Sequence, residues 1–183
     1  ATKYLCGHSD AMAGTIVMGA EAGGRALDLS RIHGSVAAPM DCWLVLRGMR
    51  TLGLRVEAAC RSAERIAPYL SGHPAVERVN YPGLGPDPVA ARVLSGGFGG
   101  MLSFTLHGGE KAVRRACSRM RLITLMPSLA DVATTVSHPT STSHRGMTED
   151  DLVAAGTSAG MLRLSVGVED VDDILADLEL ALG

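Results

Sequence analysis

The chain has 183 residues, 46% of them hydrophobic and 20% charged, with a formal net charge of −2. That length holds one substantial core or two small ones, and a near-neutral balance with one Trp, three Tyr and two Phe leaves no basic footprint for nucleic acid. No apolar run is long enough to span a bilayer, no basic stretch leads into an apolar one at the start, and neither a repeat nor a low-complexity tract is present.

In chain order, residues 15–18 (Thr-Ile-Val-Met) read as a strand closed by a turn at Gly23-Gly24. Pro39 and Asp41 then announce one long helix. Its apolar positions, Leu46, Met49, Leu52, Val56, Ala59, Ala63, Ile66 and Leu70, recur at three-and-four spacing, with Asp41 as N-cap and Gly72 and Pro74 as the stop. Arg47, Arg50 and Arg55 read as solvated or ion-paired groups on that helix. Residues 76–84 form a short strand running into a turn, and Pro86 and Pro88 open a brief helix through Leu94.

Gly96, Gly97, Gly99 and Gly100 precede a strand at 101–106. A phosphate-cradling loop leads into a helix, so these glycines serve close packing or positive φ. A helix at 110–120 follows, then strands at 122–125 and 134–139, a polar passage at 140–146, a helix at 149–155 and a last strand at 161–167. The closing helix turns Val171, Ile174, Leu175 and Leu178 inward and places Asp170, Asp172 and Asp173 at its positive end. Strands alternating with helices make an α/β chain.

Few residues invite chemistry on their own. Lys3 is, by itself, a lysine near one end of the chain. Arg163 lies inside an apolar strand, where an unpaired guanidinium is expensive; an internal carboxylate or a bound one would each satisfy its planar fork. His138, Ser143 and His144 sit in the polar passage and read as loop hydrogen bonding. Cys6, Cys42, Cys60 and Cys117 form neither a CxxC pair nor a metal pattern, and a reduced, cytoplasmic compartment fits them. No metal site is expected.

Thr2-Lys3-Tyr4 followed by Gly7-His8-Ser9-Asp10, and then Tyr81-Pro82-Gly83-Leu84, Ser128-Leu129 and Arg163-Leu164-Ser165-Val166-Gly167, occur in one order. Together they resemble the trans-sulfuration family, the pyridoxal-phosphate (PLP) enzymes of cysteine and methionine metabolism that include cystathionine γ-synthases, cystathionine γ-lyases and methionine γ-lyases. The resemblance implies the C-terminal part of a fold-type I PLP-dependent transferase, similar to aspartate aminotransferase. Residues 1–55 would end the large cofactor domain and begin the linking helix, and 56–183 would form the small C-terminal domain.

It further implies that Lys3 holds pyridoxal 5'-phosphate as a Schiff base and moves protons, that the Thr2 hydroxyl contacts the phosphate, and that Arg163 and Ser128 receive the carboxylate of an amino-acid substrate. The reaction expected is carbon–sulfur lysis or γ-replacement on methionine, homocysteine, cysteine or cystathionine; β- and γ-chemistry both stay open. Ala130-Asp131 stands where the family commonly has glycines. Ala133 stands where cystathionine-processing members have glutamate, which tilts the choice toward a shorter or less polar substrate. An upstream half or companion chain is expected to complete the site, this segment alone being inactive, within a homotetramer built as a dimer of dimers. The competing reading is a noncatalytic oligomerisation or docking fragment of a larger assembly.

Overall fold

Period-two patterning in the later strands sets the architecture. The computed structural model describes residues 1–183, which fall into two units, Ala1–Leu52 and Gly53–Gly183. In chain order the elements are α1 (Ala20–His33), α2 (Pro39–Met49), α3 (Leu52–Ser71), β1 (Val76–Asn80), α4 (Pro88–Val93), β2 (Met101–Leu106), α5 (Gly109–Arg119), β3 (Thr124–Leu125), β4 (Thr135–Ser137), α6 (Glu149–Ala154), β5 (Met161–Ser165) and α7 (Val171–Leu182), with a 3₁₀ turn at Pro139–Ser141.

The larger unit is a five-stranded sheet in the order β1-β2-β5-β4-β3, antiparallel except for the β3–β4 pair. Alternate side chains point to opposite faces. On one face Leu102, Phe104, Leu106, Val136, Leu162 and Leu164 form the core with Ile66 and Leu70 of α3, Val113 of α5, and Ile174 and Leu178 of α7. Each such side chain contributes about 1.5–3 kcal/mol through its removal from water. The opposite face carries Met101, Ser103, Thr105, Met161, Arg163, Ser165, Thr135 and Ser137. Register aligns Asn80, Ser103, Arg163 and Ser137 as one polar row across four strands.

Two polar ties hold the helices of this unit. Asp177 of α7, 6% exposed, accepts the backbone N–H groups of Arg121, Leu122 and Ile123 at 2.8, 3.1 and 2.9 Å, fixing the passage into β3. The Tyr69 phenol of α3 donates to Glu179 of α7, and His73 Nε2 lies 3.8 Å from the same carboxylate. Burial, then the Glu179 hydrogen bond and charge, push the Tyr69 pKa up.

The smaller unit has a modest core, Cys6, Ala11 and Val45, with Ala1, Leu5, Ala13 and Leu44 packed against it. Gly48 of α2 meets the first turn of the chain closely: a Cβ there would sit 2.1 Å from the Cys6 carbonyl oxygen. Only glycine allows that approach.

Several expectations change. Residues 15–18 form no strand, and Gly23-Gly24 lies inside α1 rather than at a turn. An extended run becomes a strand only against a hydrogen-bonding neighbour, and the smaller unit has none; Ile16 and Val17 are 79% and 96% exposed. The single long helix is two. Thr51 N turns back to Gly48 O at 3.2 Å between α2 and α3, and Leu46 and Met49 are exposed although they continue the apolar spacing of α3. Ala38, not Asp41, is the N-cap of α2: Pro39 at the first helical position has its φ preset for a helix and lacks only an N–H that would be unpaired there, so the helix starts two residues before Asp41. Arg55 is buried, while Arg47 lies over the Trp43 ring at 5.8 Å. The strands expected at 122–125 and 161–167 are shorter, Thr124–Leu125 and Met161–Ser165. No helix is long and apolar enough to cross a membrane.

Replacing Asp177 by Ala orphans three backbone donors at the start of β3. The substitution is expected to lower unfolding stability by about 2–4 kcal/mol, read by urea denaturation; a change below about 0.5 kcal/mol would show that the carboxylate does not hold this passage.

Candidate active site

The first turn of the chain presents Lys3. Cys6 N donates to Ala1 O at 3.0 Å and Gly7 N to Lys3 O at 2.7 Å, with Gly7 at φ 77, where glycine is favoured. The Lys3 side chain is exposed in this chain. Beside it, Thr2 is tied to Ala13 in both directions: Oγ1 accepts from Ala13 N at 3.0 Å and donates to Ala13 O at 3.2 Å. That carbonyl also receives Ala1 N at 2.7 Å and Thr2 N at 3.1 Å. A carbonyl oxygen has two lone pairs, so the hydroxyl is its third and longest donor.

In the larger unit Arg163 projects from the central strand on the polar face and is half-buried. Its Nη2 donates to Ser128 O at 3.3 Å, and its buried Nε has no partner. A buried donor without an acceptor costs about 1–3 kcal/mol, and no carboxylate side chain bonds or bridges this guanidinium. Of the two partners the sequence left open, the internal carboxylate is absent. Beside Arg163 opens a cavity of about 330 Å³, lined also by Asn80, Ser103, Ser143, His144 and Met161.

The histidines behave as loop groups. His138, 6% exposed, sets Nδ1 against Ser141 Oγ at 3.0 Å and Nε2 against Ala159 O and Thr140 Oγ1 at 3.0 and 2.8 Å. His144 Nδ1 lies 2.9 Å from Ser143 Oγ. His144 also lines the cavity beside Arg163, a position that its sequence neighbours alone do not announce. No group of His, Cys, Asp and Glu is arranged to hold a metal ion.

Sequence reasoning missed the device that seats residues 128–134. Glu169 accepts Thr134 N at 2.5 Å and Thr134 Oγ1 at 2.7 Å, while Gly167 N donates to Thr134 Oγ1 at 2.9 Å and Val168 N to Val132 O at 2.8 Å. A Cβ on Gly167 would stand 2.3 Å from Val132 O and 2.4 Å from Glu169 Oε2. The one sequence signal was the glycine-then-acid spacing of Gly167 and Glu169 directly after an apolar strand. Ser128 and Arg163 are thus brought into contact, and Thr2 and Lys3 share the first turn of the smaller unit.

Taken unit by unit, the smaller one offers a primary amine at Lys3 and a hydroxyl at Thr2, groups that suit a phosphorylated aldehyde, and the larger one offers an unsatisfied guanidinium N–H at Arg163, which suits a carboxylate. A family model described as Cys/Met metabolism PLP-dependent enzyme matches residues 1–183. The chain is 40% identical over 186 residues to an L-methionine gamma-lyase of Fusobacterium nucleatum subsp. polymorphum, covering 99% of this chain and 47% of that protein. It is 42% identical over 185 residues to cystathionine beta-lyase MetC of Bacillus subtilis, covering 100% and 47%. The crystal structure of cystathionine gamma synthase from Xanthomonas oryzae pv. oryzae in complex with aminoacrylate and cysteine matches with a TM-score of 0.91 at 41% identity, over 99% of this chain and 48% of that one. The chain spans about half the length of the relatives it matches.

Gly167→Ala is expected to displace residues 132–134 and to lower the melting temperature by several degrees, since about 1–3 kcal/mol is lost on overpacking. An unshifted melting curve would mean that the close approach at Gly167 is not required.

Proposed function

Because the chain belongs to the Cys/Met metabolism PLP-dependent enzyme family and shares the fold-type I architecture of its solved relatives, we propose that it is the part of a carbon–sulfur lyase or γ-replacement enzyme that contributes both the cofactor lysine and the substrate-carboxylate arginine. The observation that carries this reading is the buried Arg163 Nε without a partner, beside Nη2 already oriented by Ser128 O.

Bound pyridoxal phosphate supplies the electron sink for a carbanion at the substrate Cα. Lys3 Nζ is the group that would hold it, and the same amine would move protons at the substrate Cα and toward the departing side chain. Thr2 Oγ1, which accepts from Ala13 N, would help hold the cofactor phosphate. Arg163 binds the α-carboxylate through Nε and the adjacent Nη, a charge-assisted pair that fixes the plane of the amino acid. Ser128 keeps that guanidinium from rotating away.

In this reading residues 1–55 belong to the large cofactor domain and 56–183 to the small domain, and the rest of the polypeptide or a companion chain completes the site within a homo-oligomer arranged as a dimer of dimers. The substrate is a sulfur amino acid. Ala133, exposed in this chain, offers a methyl where a carboxylate would select a distal ammonium group, which favours methionine, homocysteine or cysteine over cystathionine. Relatives named as a gamma-lyase and a beta-lyase are 40% and 42% identical, so overall identity does not choose between the two chemistries.

In the full-length protein, Lys3→Ala is expected to remove the visible absorbance of the lysine-attached cofactor and to cut turnover by about 10²–10⁴-fold. A protein that stays colourless with added cofactor before any substitution would instead be the docking fragment. Arg163→Gln is expected to raise KM for an amino-acid substrate by about 10–100-fold, the loss of a hydrogen bond to a charged group; an unchanged KM would remove Arg163 from the carboxylate site.

A further inference from the structure

The hydrogen bond between Arg163 Nη2 and Ser128 O is long, 3.3 Å, and the loop bearing Ser128 is not held by its own preference. Ala130, two residues on, has φ 63 and is 2% exposed. The left-handed region costs a non-glycine residue roughly 1 kcal/mol or more, so tertiary contacts must impose this bend. One contact does so directly. Ala130 N donates to Ser165 Oγ at 2.7 Å, and Ser165 is 1% exposed.

We propose that Ser165 is a positioning residue for recognition of the substrate carboxylate: its Oγ fixes the Ala130 bend, and through it the Ser128 carbonyl that aims the Arg163 guanidinium. Ser165 and Arg163 are two residues apart on β5 and therefore share its polar face, so the anchor of the loop and the group that the loop orients ride on one rigid strand. The far end of the same loop is tied separately, by Glu169 on Thr134. Loss of the Ser165 hydroxyl thus frees the near end, where Ser128 lies. A drift of a few tenths of an ångström lengthens the 3.3 Å bond past the range of a hydrogen bond, and the guanidinium then samples rotations that turn Nε from the carboxylate.

This inference rests on the proposed role of Arg163, and its test separates the two. In the full-length enzyme with its cofactor, KM for L-methionine is compared with the Ki of 3-(methylthio)propylamine, the same molecule without its carboxylate. Ser165→Ala is expected to raise the methionine KM by about fivefold to tenfold while the amine Ki and kcat each change by less than about twofold. Ser165→Cys, close in size with a poor acceptor, is expected to give the same pattern to a smaller degree and covers the case in which the alanine variant does not fold. Equal weakening of both ligands would reduce Ser165 to a structural residue, and no change in either would remove it from the site. If the unaltered enzyme does not distinguish methionine from the amine, the carboxylate role of Arg163 itself fails, and the inference with it.

Discussion

A guanidinium can stay half-buried on the middle strand of a sheet only if its surroundings supply acceptors, and most of what surrounds Arg163 answers that constraint. The strand alternates Met161, Arg163 and Ser165 on one face with Leu162 and Leu164 on the other, so the charge points away from the core while its backbone is locked between β2 and β4. Ser128 O takes one N–H, and the buried Nε has no protein partner. An arrangement that leaves a charged donor unsatisfied loses stability that a purely structural arginine would keep.

The loop at 128–134 shows how a small structure concentrates several polar ties on one task. It bends through a non-glycine residue in the left-handed region and is gripped from the end of β5 by Ser165, Gly167, Val168 and Glu169. The grip is possible because Gly167 lacks a side chain and the two backbones can approach. The smaller unit uses the same means, for Gly48 brings α2 against the carbonyls of the first turn that presents Lys3. In both units a glycine permits the close backbone contact that seats the segment bearing a candidate site residue.

Much of the architecture was legible because it follows short-range rules. The apolar content of 101–106 and 161–165 marked strands of a sheet core, and the helical spacing in α5 and α7 marked the helices that cover it. The errors fell where a local pattern lacked its partner. Residues 15–18 carry strand-forming side chains but meet no neighbouring strand, and the apolar spacing that runs from Leu46 to Leu70 bridges a break at Arg50-Thr51 that hydrophobic periodicity does not register. The family, its fold class and the PLP dependence of its members were readable from motifs around Lys3 and Arg163, since those residue types at those intervals are seldom assembled by chance.

By itself the sequence determined which side chains are available and which elements carry them: an amine at Lys3, a hydroxyl at Thr2, and a guanidinium at Arg163 in an apolar strand. Only the tertiary structure decided what those groups are free to do. The Arg163 Nε proves unpartnered, the Thr2 hydroxyl proves tied to Ala13, and Ala130 proves bent against its own preference and pinned by Ser165. Hydrogen-bond satisfaction is a property of groups that meet across 11 or 35 residues of chain, and no spacing rule along the sequence records which donors are left over once the chain has folded.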